Sequence, residues 1–280
     1  MPLHDPGYKH WSGNWTTHSY RWWVVTKQGI RLLIKRRLFV SLMIVSYLPF
    51  LVCAVMIYLS SSVGGYVGSL RITPAFFETF LSIERYFVFF ISIYAGAGLI
   101  SNDLRANALQ IYFSKPITRR DYILGKLGTI VFFLALPTLV PAVLLYLLSI
   151  LFQASFGIPP ESLVLLAAIL GYSLLIIFTN SLIMIGFSSL CKSSRFAGLS
   201  FAALFFFSQV LSTVLSLVLR DPRIGWIGLE NNVRRLGDVL FRAESRYQFD
   251  PWISVVILAV LVTAAVWTAY RRVNAVEVVA

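Results

Sequence analysis

Charged residues are scarce in this chain. Asp, Glu, Lys and Arg together make up 13% of its 280 residues, whereas soluble domains carry roughly 25%. Apolar residues make up 58%, against about 45–50% in an average soluble domain. The composition therefore excludes an ordinary soluble domain and indicates a protein that lies in a membrane.

Metal-binding and disulfide-forming residues are scarce as well. The two cysteines, Cys53 and Cys191, lie within or at the end of apolar runs, so they provide neither a disulfide framework nor a metal spacing. The three histidines, His4, His10 and His18, all lie in the N-terminal tail, where a solvated tail is a simpler interpretation than a metal site. The four methionines do not cluster with Cys or His, which argues against a copper path.

The apolar runs lack ionisable side chains well inside them. Such groups mark proton- or ion-coupled transport, and a membrane hydrolase needs a positioned acid, base or metal. A phosphate-binding loop is missing too, because Gly125-Lys126 is followed by Leu127 instead of Ser or Thr. We therefore expect that this chain is not an enzyme and binds no cofactor or metal of its own.

The apolar residues form runs that predict six transmembrane helices, since about 20 such residues span a bilayer. The predicted helices are 38–60, 80–100, 127–153, 162–190, 197–219 and 251–270. The second charge-free run covers only 86–102, so its helix should begin upstream, near 74–79, or lie beside other helices. We interpret residues 1–280 as a single all-α integral membrane domain.

Positive charge is unevenly divided between the connecting segments. One group of segments holds 16 Lys or Arg and four Asp or Glu: 1–37, 101–126, 191–197 and 271–280. The rest of the chain holds eight Lys or Arg and eight Asp or Glu. Because cytoplasmic loops carry the excess of Lys and Arg, both termini are predicted to be cytoplasmic and 220–250 external. The basic charge then matches anionic headgroups, and nucleic acid is not an expected partner.

Two amphipathic helices are predicted outside the spans. In residues 21–37, Lys27, Arg31 and Lys35 share one helical face, which indicates a helix in the membrane interface; an ordinary basic flank of the first span is the alternative. The opposite face carries Trp22, Trp23, Ile30, Leu33 and Ile34. In 220–250, helical spacing relates Leu229, Val233, Leu236 and Leu240, which predicts a helix on the outer surface.

Weaker polar and structural signals lie within the spans. A stripe on the fifth span indicates either helix–helix hydrogen bonding or a surface that faces the substrate pathway or a second subunit. The stripe consists of Ser208, Gln209, Ser212, Thr213 and Ser216. Pro49, Pro137 and Pro141 predict kinks, and the small residues 95–98 should allow close helix packing.

Residues 101–126 carry more order than a plain basic loop requires. Ser101 and Asn102 are suitable helix N-caps and Asp103 suits a first turn, so we expect a short helix there. One face of that helix would carry Leu104, Ala108, Ile111 and Tyr112. Pro116 should end it, and Thr118 to Asp121 fits a capping box for a second helix that enters the third span.

The same segment resembles a known family. The residues that carry the similarity are, in order, Asp103, Ala108-Leu109, Ser114-Lys115-Pro116-Ile117-Thr118-Arg119 and Leu124-Gly125-Lys126. The segment is similar to the cytoplasmic segment of permease subunits of type 2 ATP-binding-cassette (ABC) transporters. The six spans, the N-terminal amphipathic helix and the element between the fifth and sixth spans are similar too. The resemblance covers about 25 residues as a motif and most of the chain as architecture.

The resemblance implies a function and a set of partners. Residues 101–126 would be a coupling helix on a separate ATPase subunit, which binds ATP and Mg²⁺, and two permease copies would form the pathway, as a homodimer or with a related permease. The implied contact residues are Asp103, Leu104, Arg105, Ala108, Leu109, Ile111, Tyr112, Pro116, Arg119 and Arg120. Export, membrane lipid as a partner and a bacterial inner-membrane location are also implied. A non-catalytic membrane anchor that recruits another protein through 101–126 is the alternative.

Overall fold

The computed structural model describes residues 20–62, 73–114, 117–152, 160–245 and 247–274. All regular secondary structure in these residues is helical, which confirms the all-α prediction. The α-helices in chain order are α1 (Arg21–Ile34), α2 (Arg37–Val45), α3 (Leu48–Ser62), α4 (Pro74–Ile91), α5 (Gly98–Arg105), α6 (Leu109–Phe113), α7 (Arg119–Ala135), α8 (Leu139–Phe152), α9 (Pro160–Leu190), α10 (Ser194–Leu219), α11 (Leu229–Leu240) and α12 (Pro251–Asn274).

Within the described ranges, six helical stretches are long and apolar enough to cross a membrane. They are Arg37–Ser60, Pro74–Arg105, Arg119–Phe152, Leu163–Leu190, Ser194–Leu219 and Pro251–Val273, here called the first to sixth spans. The number agrees with the prediction from the apolar runs. The second span begins at Pro74, upstream of its charge-free run, as that short run required.

Three spans are interrupted at identifiable residues. The first breaks between α2 and α3, just before Pro49, and the third between α7 and α8, at Pro137, because proline removes a donor and clashes with the preceding turn. The hydroxyl of Tyr47 donates to the carbonyl oxygen of Leu136 at 2.9 Å, so the two breaks face each other. The second span contains a π-helical turn, Ser92–Gly96, which no proline signals.

The second span also carries buried ionisable side chains, so the charge-free runs of the sequence did not show every ionisable group that lies within a span. Glu84 is 0% exposed and Arg85 6%, and both belong to α4. Both lie upstream of the charge-free run 86–102, in the part of the helix that this run does not cover. The sequence argument against proton- or ion-coupled transport loses its basis with this correction.

The predicted N-terminal amphipathic helix is present as α1, and it packs along α7. Its buried residues are Val25, Thr26 and Leu33, whereas Trp23 and Ile34 of the predicted apolar face are largely exposed. The hydroxyl of Thr26 donates to the carbonyl oxygen of Gly125 at 2.9 Å. Because glycine lacks a Cβ, the backbones of α1 and α7 can approach closely at this point.

We expect Gly125→Ala to loosen this contact. An added Cβ would lie 2.5 Å from the Val25 Cβ and 2.7 Å from the Trp22 carbonyl oxygen, so overpacking should lower stability by on the order of 1–2 kcal/mol despite alanine's better helix propensity. Gly171→Ala is the matched control, since its Cβ would meet only Leu240 at 3.8 Å. Thermal unfolding in mild detergent measures both. Equal stability of the two variants would contradict the close packing.

Candidate partner-docking site

The second span continues into the segment that follows it. α5 runs without interruption to Arg105, so Ser101 and Asn102 lie inside a helix, and the prediction that they cap a new helix is wrong. Ser101 is fully buried, and its hydroxyl donates to the carbonyl oxygen of Ala97 at 2.6 Å. A hydroxyl that bonds back one turn is compatible with a helix interior as well as with a cap, which explains the error.

A tight reversal ends α5. Asn107 has φ 50°, the left-handed conformation that asparagine tolerates better than most residues. The N–H of Ala108 donates to the carbonyl oxygen of Asp103 at 2.9 Å, and the N–H of Asn107 to that of Leu104 at 3.4 Å. These two bonds are the Schellman pattern, and the short helix α6 follows immediately.

The entry to the third span is capped as predicted. The N–H of Asp121 donates to the Thr118 hydroxyl at 3.2 Å, and the N–H of Thr118 donates to the Asp121 carboxylate at 3.1 Å. This confirms the capping box and starts α7 at Arg119. α6 ends at Phe113; the predicted break at Pro116 lies outside the described residues.

A cluster of buried and partly buried side chains connects α5, α6 and α7; we call Asp103, Tyr112, Tyr122 and Lys126 the anchor cluster. The Lys126 ammonium lies 2.6 Å from the Asp103 carboxylate, which also accepts a hydrogen bond from the Tyr122 hydroxyl at 2.7 Å. Lys126 lies 5.5 and 5.3 Å from the ring centroids of Tyr112 and Tyr122, within cation–π range. The cluster joins α6 to the ends of two spans.

Burial, and then the negative charge of Asp103, raises the pKa of Tyr112. A phenol is already neutral at physiological pH, and this environment moves Tyr112 further from ionisation. A neutral Tyr112 ring can contact the Lys126 ammonium without competing, as a phenolate would, with the Asp103 carboxylate for the positive charge of Lys126.

The residues predicted to touch a partner separate into two groups. Ile111 is 65% exposed, and Arg105 and Arg120 are exposed as well. Four others are partly covered: Leu104, Ala108, Tyr112 and Arg119. Asp103 is engaged in the anchor cluster, and Leu109 is buried. Pro116 lies outside the described residues. Leu109 is 0% exposed, so it supports α6 from inside and offers no surface to a partner.

α6 and α1 together form a groove, which sequence reasoning missed. The groove has a volume of about 640 Å³, and Val24, Ile111 and Ile117 contribute apolar walls, while Lys27 and Arg31 of α1 are basic. The predicted basic face of α1 was the available signal, since Lys27 and Arg31 belong to it. Such a groove can accept an apolar side chain and attract an acidic surface around it.

The polar stripe of the fifth span is used mainly within the chain. The Ser208 hydroxyl accepts from the N–H of Leu229 at 3.3 Å. Ser212 is 2% exposed, and its hydroxyl accepts from the Asn231 amide at 3.1 Å. Both serines therefore hold the element 222–240, which consists of the 3₁₀ turn Pro222–Ile227 and α11. Thr213 is exposed and remains available to the lipid, the pathway or a second subunit.

Most of the chain matches a known protein family. A family model described as ABC-2 family transporter protein matches residues 22–224, which is more than half of the chain and includes α1, α6 and the first five spans. No curated protein matches the chain.

Proposed function

Because the chain belongs to the ABC-2 family of transporter proteins, we propose that it is a permease subunit moved by a separate ATPase that docks on α6 and α1. Its six apolar helices and its family make it a membrane-spanning transport component. The docking partner, the dimer, the direction of transport and a location in a bacterial inner membrane belong to the proposal.

The observation that carries the proposal is the anchor cluster. An element that transmits movement must be fixed to what it moves. The Asp103–Lys126 pair joins the ends of the second and third spans, and the Tyr112 ring of α6 packs against Lys126 and Tyr122 of the third span. The groove between α6 and α1 lies at the same place. A partner that occupies the groove could therefore move two spans and the α1 helix together.

The mechanism follows as a hypothesis. ATP and Mg²⁺ bind the partner, since the chain lacks a phosphate-binding loop. Closure of the partner displaces α6, and the breaks in the first and third spans and the π-helical turn of the second are where the spans can bend. Two copies of the chain then open and close a pathway between them, and we expect export.

The contact is tested with Ile111→Asp. We expect affinity for the ATPase subunit to fall at least about tenfold, because a charge would replace an exposed apolar residue at the groove. Gln110→Asp is the matched control: it adds the same charge at the neighbouring exposed position, outside the groove lining. Affinity is measured by titrating the purified permease with the ATPase.

Three outcomes are informative. Unchanged affinity of Ile111→Asp, with normal thermal unfolding of the variant, would reject the docking site. Equal loss in both variants would indicate a general charge effect instead of a groove contact. A plain membrane anchor would bind the ATPase without changing its rate of ATP hydrolysis, whereas a coupled permease changes that rate.

A further inference from the structure

A second cavity borders α1 and is separate from the docking groove. It has a volume of about 650 Å³, within the range of about 300–1,000 Å³ that is common for ligand sites. α1, the second span and the N-terminal part of α10 line it, and none of its lining residues lines the groove. It shares the Asp103–Lys126 pair with the anchor cluster, but the docking proposal places no ligand in it.

One end of the cavity is cationic. Arg36, Lys126 and Arg195 line it, and Asp103 is the single acid in the lining. Because Asp103 already pairs with Lys126, the positive charges of Arg36 and Arg195 are not offset within the cavity. Arg195 lies in the first turn of α10, whose N-cap Ser193 makes no side-chain capping bond, so the helix terminus adds to the positive potential. This end favours an anion.

The other end is apolar. Ile93, Leu199 and Ala202 line it, away from the charged ends of the helices. Arg36 and Arg195 belong to the segments that hold the surplus of Lys and Arg. The positive-inside rule places these segments on the cytoplasmic side, beside anionic headgroups. A cationic end joined to an apolar end, at the depth where headgroups meet acyl chains, matches an amphiphile better than an inorganic anion.

We propose that this cavity binds an anionic phospholipid, with its phosphate between Arg36 and Arg195 and an acyl chain along Leu199 and Ala202. Charge complementarity selects the headgroup, since a zwitterionic lipid brings a cation of its own toward the two arginines. The lipid lies beside the Asp103–Lys126 pair. Its occupancy is therefore positioned to affect the same helix ends that the docking partner moves.

The test titrates the full-length purified protein in detergent with short-chain phosphatidylglycerol, phosphatidylcholine and inorganic phosphate. We expect phosphatidylglycerol to bind at least about tenfold more tightly than phosphatidylcholine, and phosphate to bind more weakly than either lipid. Phosphate binding as tight as phosphatidylglycerol would replace the lipid site with a simple anion site. Equal binding of the two lipids would overturn the headgroup assignment.

Two pairs of variants locate the site. Arg36→Gln with Arg195→Gln should remove the preference for phosphatidylglycerol, whereas Lys35→Gln with Lys192→Gln should change it less than about twofold. The control pair removes the same charge from exposed neighbouring positions that do not line the cavity. Equal effects of the two pairs would show that the preference reflects overall charge and would reject the site.

A third variant tests the apolar end. Ala202→Trp should weaken both lipids by a similar factor and leave phosphate binding unchanged, because it fills the acyl region without altering charge. The oligomeric state of each variant is measured in parallel. If Ala202→Trp changes self-association and not lipid binding, a second copy of the chain occupies the cavity and the lipid proposal is wrong.

Discussion

Lys126→Met is expected to destabilise the protein by about 3–5 kcal/mol, the usual result of removing one partner from a buried ion pair. The Lys126 and Asp103 side chains are 10% and 19% exposed. Without the ammonium, the Asp103 carboxylate would keep only its hydrogen bond from Tyr122 among the described contacts. Chemical or thermal unfolding in mild detergent measures the loss.

A double-mutant cycle isolates the pair. Asp103→Asn combined with Lys126→Met should cost less than the sum of the two single changes, because the double variant leaves no unpaired charge. Lys192→Met is the control, since Lys192 is exposed and its removal should stay within about 0.5 kcal/mol. Strict additivity of the two changes would show that the pair contributes nothing beyond its separate residues.

The double variant also probes transmission. Its groove residues are unaltered, so we expect the ATPase to bind with nearly unchanged affinity. The effect of the permease on the rate of ATP hydrolysis should nevertheless fall, because the second and third spans lose the ion pair that joins their ends, and the Tyr112 ring of α6 loses the Lys126 ammonium it packs against. Retention of both binding and the full rate effect would indicate that another contact transmits the movement.

Features that depend on neighbouring residues in sequence were predictable. Thr118 and Asp121 form the capping box that their spacing predicted, because each satisfies the other's backbone over three residues. The six spans follow from apolar length alone. The amphipathic helix of 220–250 is present as α11, with Leu229 and Val233 buried as their spacing indicated. Leu236 is only partly buried and Leu240 is exposed.

Features that depend on distant contacts were not predictable. After the π-helical turn, the backbone N–H groups of Ile100 and Ser101 donate hydrogen bonds to the Ser188 hydroxyl at 3.0 and 3.2 Å. Ser188 lies far away in the sequence. No local pattern reveals a partner so far along the chain. Ser101 therefore looked like a helix cap when it lies in the middle of a helix.

The sequence predicted only part of the candidate site, again because some of its contacts join residues that are distant in sequence. Ile111 is exposed, whereas Leu109, which the resemblance named as a contact, is buried. The predicted single helix is divided between α5, which ends at Arg105, and α6, which begins at Leu109. The contribution of α1 depends on the packing of Thr26 against Gly125, which joins residues far apart in sequence. A charge pattern shows that α1 is amphipathic, but not which element lies beside it.

Arg85→Gln is the second change with a large expected effect, again about 3–5 kcal/mol. The Arg85 guanidinium lies 2.5 Å from the Glu230 carboxylate and donates to the Tyr172 hydroxyl at 2.8 Å. Its side chain is 4% exposed, so water cannot replace these partners. The contacts join α4 and α9 to α11, and the change should therefore loosen the element 222–240 from the spans.

Arg234→Gln is the matched control, because Arg234 pairs with the same Glu230 carboxylate. That pair is longer, at 3.4 Å, and the Arg234 side chain is 25% exposed, so its loss should cost no more than about 1 kcal/mol. Unfolding in mild detergent compares the two variants, and limited proteolysis at residues 222–250 reports local loosening. Equal stability losses would contradict a special role for the buried pair.

The Arg85 contacts also give the buried charge of the second span a physical reason. A charged side chain deep in a span is expensive unless it is paired, and Arg85 is paired with a residue of the element 222–240. If that element covers one end of the pathway, movement of the second span must either carry the element along or separate Arg85 from Glu230.

Arg85→Gln with Glu230→Gln removes this requirement without leaving an unpaired charge. That double variant should recover part of the stability lost in Arg85→Gln and expose 222–250 to protease, whereas protection equal to the wild type would show that other contacts hold the element.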